Sequence, residues 1–115
     1  MRHKQKTKEL SLEKGARVAL IKTLAVSLIR EGKIKTTDTK AKVLKPMVER
    51  LVTKAKAGTI ASRRFLTSTI GATATKNLVD TIAPKYKDRQ GGYLRITKLN
   101  DRKSDGAKIS VIEFV

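Results

Sequence analysis

The sequence contains no cysteine and no tryptophan, and His3 is its single histidine. Without cysteine the chain has no disulfide, no thiol nucleophile and no thiolate zinc site. One histidine supplies too few ligands for a zinc finger or a histidine-rich metal site. Glycine-rich nucleotide-binding signatures are missing, and no Ser/His/Asp set has a second histidine to draw on. We therefore expect no catalytic residue, no metal and no cofactor.

Long hydrophobic runs are also missing, and aromatic residues make up 3% of the chain. A core must therefore be built from Leu, Ile, Val and Ala. No run approaches the ~20 apolar residues that a membrane span needs. Residues 1–8 lack the apolar segment of a secretory signal and are short and lysine-rich, unlike a transit helix. We expect a cytoplasmic protein with no membrane and no small-molecule substrate.

Acidic residues are few, since 10 Asp and Glu stand against 27 Lys and Arg, a net charge of +17. Self-repulsion at this level disfavours a compact chain and favours a polyanionic partner. Nucleic acid is the first candidate and an anionic membrane surface the second. The excess extends along the chain, from +6 over residues 1–30 to +2 over residues 91–115. This distribution favours contact on several sides over docking through one tail.

The length of 115 residues fits one domain. We predict an α+β fold in which about four helices pack on a small three-stranded mixed sheet. Residues 1–10 form an extended basic arm, because almost nothing in them can be buried. Residues 11–115 form the globular domain.

The first predicted helix covers residues 11–31, with Ser11 as its N-cap and a buried stripe from Val18 to Ile29. Gly32 ends it, and residues 33–37 (KIKTT) form a strand.

The second predicted helix is capped by Thr37 or Thr39 and ends near Ala57. Pro46 lies inside it. Because proline removes a backbone donor and crowds the preceding turn, we expect a kink or a late helix start.

The remaining elements are shorter. Thr59 caps a third helix that Gly71 ends, and residues 75–83 form a fourth that stops before Pro84. Residues 93–99 and 109–115 are predicted to form a hairpin, with the KIKTT strand at its edge.

Basic clusters supply the candidate binding residues, and each has a plainer alternative. The arm either lies along a phosphate backbone or is a solvated terminus; its candidates are Arg2, His3, Lys4, Lys6 and Lys8. Arg63 and Arg64 either contact phosphate, which guanidinium geometry suits, or line the core edge.

The loop of residues 85–93 (KYKDRQGGY) is rich in candidates. Its glycines let backbone amides approach an anion, and its tyrosines either stack on a splayed base or pack in the core. The candidates here are Lys85, Tyr86, Arg89, Gln90, Gly91, Gly92 and Tyr93.

Arg102 and Lys103 in the turn of residues 100–106 either grip another backbone segment or are solvated at a hairpin tip. Asp101 and Asp105 flank them and resemble a carboxylate pair. Aspartate is common in turns for local hydrogen bonding, so we do not assign them catalysis.

Several motifs, in this order along the chain, resemble one known family. They are MRHK (1–4), ARVAL (16–20), SLIREGKIKTTDTKAK (27–42), SRRFL (62–66), APKYKDRQGGYLRITKL (83–99) and DGAKISVIEFV (105–115). The chain resembles the bacterial large-subunit ribosomal protein number seventeen family. KIKTT-x-x-KAK together with RQGGY-x-R is a specific combination.

The resemblance implies an α+β protein that binds large-subunit ribosomal RNA (rRNA) near the nascent-chain exit tunnel, beside other ribosomal proteins. It implies RNA contact by Arg2, His3, Lys4, Lys35, Thr36, Thr37, Lys40, Lys42, Arg63, Arg64, Arg89, Gly91, Gly92, Tyr93 and Arg95. Arg17, off the centre of the first helix's buried stripe, and Lys33, in the KIKTT strand, complete the candidates.

The leading hypothesis is a structural constituent of the large ribosomal subunit that stabilises folded rRNA and supports translation. The alternative is an architectural, nucleoid-type DNA-binding protein, because such proteins use basic arms or hairpins in the minor groove. A small RNA-processing enzyme is a third, disfavoured by the missing acid–base and metal sets.

Overall fold

A computed structural model describes residues 13–115, so the predicted arm and Ser11 lie outside the described part of the chain. The elements are α1 (Lys14–Glu31), β1 (Lys33–Thr37), α2 (Asp38–Ala57), α3 (Ile60–Ile70), α4 (Ala72–Asn77), a π-helical turn (Leu78–Ile82), a 3₁₀ turn (Ala83–Tyr86), β2 (Leu94–Lys98) and β3 (Ile109–Phe114). The α+β fold class is confirmed.

Helix α1 begins at Lys14 with Glu13 as N-cap, three residues later than predicted. Gly32 ends it as expected, in a left-handed conformation (φ 84°) with its N–H donating to the Leu28 carbonyl. Val18, predicted to be buried, is 42% exposed. Burial begins only at Ile21, because sequence periodicity shows which face of a helix is apolar but not how far the core reaches along it.

Helix α2 is the central element and contacts α1, α3 and all three strands. The Thr37 side chain caps it by accepting from the Lys40 N–H at 3.4 Å. The predicted late start at Pro46 is wrong, since the helix runs through this residue. Pro46 and Lys42, whose carbonyl loses its helical donor, are both exposed, so water can satisfy that carbonyl.

Replacing Pro46 with alanine is expected to stabilise the protein by about 1–3 kcal/mol, because alanine restores the backbone donor and proline is the costliest residue in a helix interior. Urea unfolding followed by circular dichroism measures the change. Lys45→Ala, next to it, controls for helix propensity alone. A lower unfolding midpoint for Pro46→Ala would show that the native path of α2 depends on the proline.

The chain after α3 stays helical for longer than predicted. Thr59 caps α3 by accepting from the Ser62 N–H at 3.1 Å, and Gly71 ends it, as expected. However, α4 begins at Ala72, and the helical path continues through Pro84 to Tyr86. Pro84 is tolerated because it lies in the first turn of the 3₁₀ segment, where its missing N–H has no helical partner to lose.

The sheet has the order β1-β3-β2, so β3 is central and the KIKTT strand joins the edge of the predicted hairpin. Both pairings are antiparallel, and the sheet is therefore not mixed as predicted. Strand direction depends on how α2 returns the chain, which residue patterns do not specify.

The helices cover one face of this sheet, where Leu94 and Ile112 join the core of α1, α2 and α3. The opposite face carries Lys33, Lys35, Arg95 and Glu113. No helix among the described residues is long and apolar enough to cross a membrane.

Candidate nucleic-acid interface

A shallow concavity, here called the basic cleft, lies at one end of the sheet. Its lining residues are Lys35, Thr36, Thr37, Lys40, Lys98, Leu99, Asn100, Arg102 and Ile109. Five of them were predicted from the KIKTT motif and the 100–106 turn; Lys98, Leu99, Asn100 and Ile109 were not. Lys98, Leu99 and Ile109 lie in the predicted strands and Asn100 in the predicted turn, but the sequence did not show which strand of the hairpin the KIKTT strand would join.

The topology places these residues together because β1 and β2 end, and β3 begins, at the same end of the sheet. Thr37 pairs with Ile109, and Lys98 pairs with Ser110. Helix α2 also starts at this end of the sheet, so the partial positive charge of its N-terminus adds to the charge of the lysines. Residues more than sixty positions apart in the sequence thus form one surface.

The cleft lining contains four cations and no carboxylate. Arg102 is already engaged, since its Nε and Nη2 donate to the Asp105 carboxylate at 2.9 and 2.7 Å. Within residues 13–115, no carboxylate lies within 4.0 Å of the ammonium groups of Lys35, Lys40 or Lys98. These three lysines are available to an external anion.

A buried carboxylate holds the cleft in shape. Asp38 accepts from the Ser110 hydroxyl at 2.7 Å and pairs with Lys42 at 2.9 Å, and its N–H donates to the Lys108 carbonyl. The hydrogen bonds from Lys42 and then Ser110 lower the pKa of Asp38. Asp38 was not among the predicted residues, and its Lys42 partner, predicted to contact RNA, is half-exposed but already paired.

The Arg102–Asp105 pair sets an acid dependence of the turn. The hydrogen bond from Arg102, followed by that from the Ala107 N–H, lowers the pKa of Asp105 from 3.8 to about 2. A lowered folded-state pKa means that the carboxylate stabilises the fold above pH 3.8 and that this contribution is lost as pH falls towards 2.

We expect Asp105→Asn to lower the melting temperature slightly at pH 6, and this difference should shrink as pH falls towards 2; the pair is about half exposed, so the effect is small. Thermal melts of both proteins across this range measure it. A pH-independent difference would mean that the charge of Asp105 does not stabilise the turn.

The loop of residues 85–93 forms a second cationic surface, but its tyrosines face inward. Tyr86 and Tyr93 are 5% and 1% exposed, with ring centroids 5.3 Å apart. Tyr86 donates to the Val115 carbonyl at 2.6 Å, and Tyr93 donates to the Arg89 carbonyl at 3.1 Å. Both tyrosines pack in the core, so the alternative in which they stack on a base is wrong. Because the chain has few aromatic residues, the core uses both rings. Burial raises the pKa of the Tyr86 hydroxyl.

Lys56, near the end of α2, fixes the loop. Its Nζ donates to the Tyr93 hydroxyl at 3.0 Å and to the Arg89 carbonyl, and it lies 5.1 Å from the Tyr93 ring centroid. The hydrogen bond from Lys56 to the Tyr93 hydroxyl is the main cause of the lowered pKa of Tyr93. Lys56 was missed because one more lysine in a basic helix carries no sequence signal. Gly91 and Gly92 have φ of 91° and 64°, which favours glycine.

Substituting Lys56 with methionine should loosen this loop, because the Arg89 carbonyl and the Tyr93 hydroxyl lose their shared donor while the aliphatic stem is kept. Amide hydrogen exchange in residues 87–93 is expected to rise severalfold. Lys54→Met, on the same helix and half a turn away, is the control. Unchanged exchange in Lys56→Met would mean that the tyrosine packing alone holds the loop.

The exposed side chains of this loop are Lys85, Lys87, Asp88, Arg89 and Gln90. They belong to a different part of the surface from the basic cleft. Lys40 and Lys56 are sixteen residues apart on one helix, which corresponds to about 24 Å along its axis. The structure therefore places the cleft residues and the loop residues at opposite ends of α2.

The other predicted residues are scattered. Arg63 pairs with Asp80 at 3.2 Å, whereas Arg64 is exposed and pairs with no carboxylate of the described residues. Arg95 pairs across the sheet with Glu113 at 3.0 Å. Lys33 and Lys103 are exposed, and Arg17 is half-buried on α1. Arg2, His3, Lys4, Lys6 and Lys8 lie outside the described residues.

No group of three or more metal-ligating side chains gathers within residues 13–115. The fold and the charge define a class: a small, basic α+β protein whose exposed cations, among the described residues, are spread over separate faces of one packed core.

Comparison with known proteins gives the family. A family model described as Ribosomal protein L17 matches residues 20–115. The chain is 48% identical to large ribosomal subunit protein bL17 of Akkermansia muciniphila, aligned over all of this chain and 85% of that protein. It is 48% identical to the Persephonella marina protein of the same name (100% and 95% covered) and 47% identical to that of Campylobacter jejuni (100% and 99%).

The chain belongs to the ribosomal protein L17 family, which confirms the resemblance. Membership in this family makes it a structural ribosomal protein and not an enzyme.

Proposed function

We propose that this protein is a structural constituent of the large ribosomal subunit in the cytoplasm, where it binds and stabilises folded rRNA near the nascent-chain exit tunnel. The relatives' names support the subunit. The RNA contact rests chiefly on one structural observation: the three lysines of the basic cleft pair with no carboxylate of residues 13–115.

The mechanism is charge neutralisation combined with scaffolding. Each phosphate that a lysine or arginine neutralises releases condensed counterions, which drives association. Because the basic cleft and the 85–93 loop lie at opposite ends of α2, they would contact two separate RNA segments. The packed core between them holds those segments about 24 Å apart. No bond is made or broken.

Within this proposal the contacts fall into groups. Lys35, Lys40 and Lys98 in the cleft take one backbone segment, and Lys85 and Arg89 take another. Arg64 and the residues of the arm extend the contact to neighbouring RNA helices. Arg63, Arg95 and Arg102 contribute less, since each is already paired with a carboxylate.

Sedimentation tests the proposed function. A tagged copy of the protein, expressed in a bacterial host, is expected to migrate with the large subunit on a sucrose gradient and to stay bound at moderate salt. Protein found only in the soluble fractions would contradict the ribosomal assignment. Crosslinks to rRNA and to neighbouring proteins of purified subunits then test the exit-tunnel position.

The DNA-binding alternative is separated by competition. We expect deproteinised large-subunit rRNA to displace the protein from duplex DNA at a much lower concentration than the reverse. Equal affinities would favour the architectural reading, which family membership otherwise disfavours.

A further inference from the structure

We propose that the basic cleft holds a single unpaired RNA nucleotide, with its phosphate and the two flanking phosphates among Lys35, Lys40 and Lys98 and its base against Leu99 and Ile109. This inference rests on the proposed function and specifies the kind of RNA element that the cleft takes.

The apolar part of the lining distinguishes an unpaired nucleotide from a duplex backbone as the occupant of the cleft. Leu99 is 43% exposed and Ile109 is half-buried, and both line the cleft together with the three lysines. A duplex backbone presents phosphates and sugars, which the lysines alone would match. An apolar surface beside cations is matched by the face of an unstacked base joined to its own phosphate.

The size and polarity of the cleft agree with one nucleotide. Its volume is about 840 Å³, within the roughly 300–1,000 Å³ that accommodates small ligands. Asn100 is exposed in the lining, and its amide offers both a donor and an acceptor to a base edge. The Thr37 hydroxyl accepts from the Lys40 N–H as the α2 cap, which holds this residue in the wall of the cleft.

The walls are fixed before any ligand arrives. The Leu99 N–H donates to the Ile109 carbonyl at 2.8 Å, and the Arg102 N–H donates to the Ala107 carbonyl at 2.8 Å. On the opposite side, the Asp38–Ser110 hydrogen bond ties the start of α2 to β3. A preformed site of this kind loses little conformational entropy on binding.

Leu99→Ser removes the apolar contact without changing the charge. In filter binding to deproteinised, refolded large-subunit rRNA at fixed salt, its affinity should fall about five- to tenfold, the low end of the range for a base on an aromatic ring, because an aliphatic side chain has no π-face. Its salt dependence should match the wild type. Val18→Ser, at 42% exposure on α1, is the matched control. An effect of Leu99→Ser no larger than that of Val18→Ser would overturn the proposal.

Crosslinking supplies the second readout and does not depend on the serine variant. A photoreactive benzoylphenylalanine replaces Leu99 in the full chain, and reverse transcription maps the crosslinked nucleotides on the same rRNA. Crosslinks to unpaired nucleotides are expected. Crosslinks confined to paired nucleotides, or none from a protein that binds the RNA, would overturn the proposal. Failure of the wild-type chain to bind rRNA would instead overturn the proposed function.

Discussion

Replacing Lys35, Lys40 and Lys98 together with glutamine is expected to flatten the salt dependence of rRNA binding. With a slope of about −0.7 per neutralised phosphate on single strands, three lost contacts reduce the slope of log affinity against log salt by about 2. Between 50 and 200 mM salt, the wild type should then lose roughly 20-fold more affinity than the variant. Filter binding across this range measures both slopes.

The control for this variant is a second triple, with Lys14, Lys54 and Lys76 changed to glutamine. Both triples remove three charges from a chain of +17, but none of the control residues lines the basic cleft. An equal loss of slope in the two triples would mean that binding follows net charge alone and that the cleft has no special role.

Leu44→Ala is expected to have the largest effect on stability. Leu44 is fully buried in α2, the helix that joins the other helices to the sheet. Truncating a buried leucine costs about 2–5 kcal/mol through lost burial and the cavity that remains. That is a large part of the roughly 5–15 kcal/mol by which a domain is stable. At 4–8 °C per kcal/mol, the melting temperature should fall by about 10 °C or more.

Arg50→Ala, on the exposed side of the same helix, separates burial from helix propensity and should shift the melting temperature by at most a few degrees. Calorimetry of the three proteins measures the difference. A decrease in melting temperature of less than about 5 °C for Leu44→Ala would show that the surrounding side chains collapse into the cavity.

Most helices and strands were predictable because their signals are local. Thr37 and Thr59 cap α2 and α3 through their own side chains, and Gly32 and Gly71 end the helices before them. The errors fell where local rules compete with packing. Pro84 did not stop the helical path, and Val18 was left outside the core.

The candidate site was predictable only in part. KIKTT and the 100–106 turn each carried a cation signal, but Lys98, Leu99 and Asn100 had no pattern of their own. Lys56 and Asp38 were missed for a related reason. Their roles depend on Tyr93, Arg89 and Ser110, which lie far away in the sequence.

Composition and local patterns were enough to establish a basic α+β chain with a polyanionic partner, because charge, periodicity and capping are properties of neighbouring residues. The motifs added a ribosomal family. Only the folded arrangement showed that the +17 excess includes a preformed cleft, that two tyrosines belong to the core, and that the cations separate to two ends of α2. These facts follow from strand order and from competition for buried space. Both depend on contacts between residues that are far apart in the sequence.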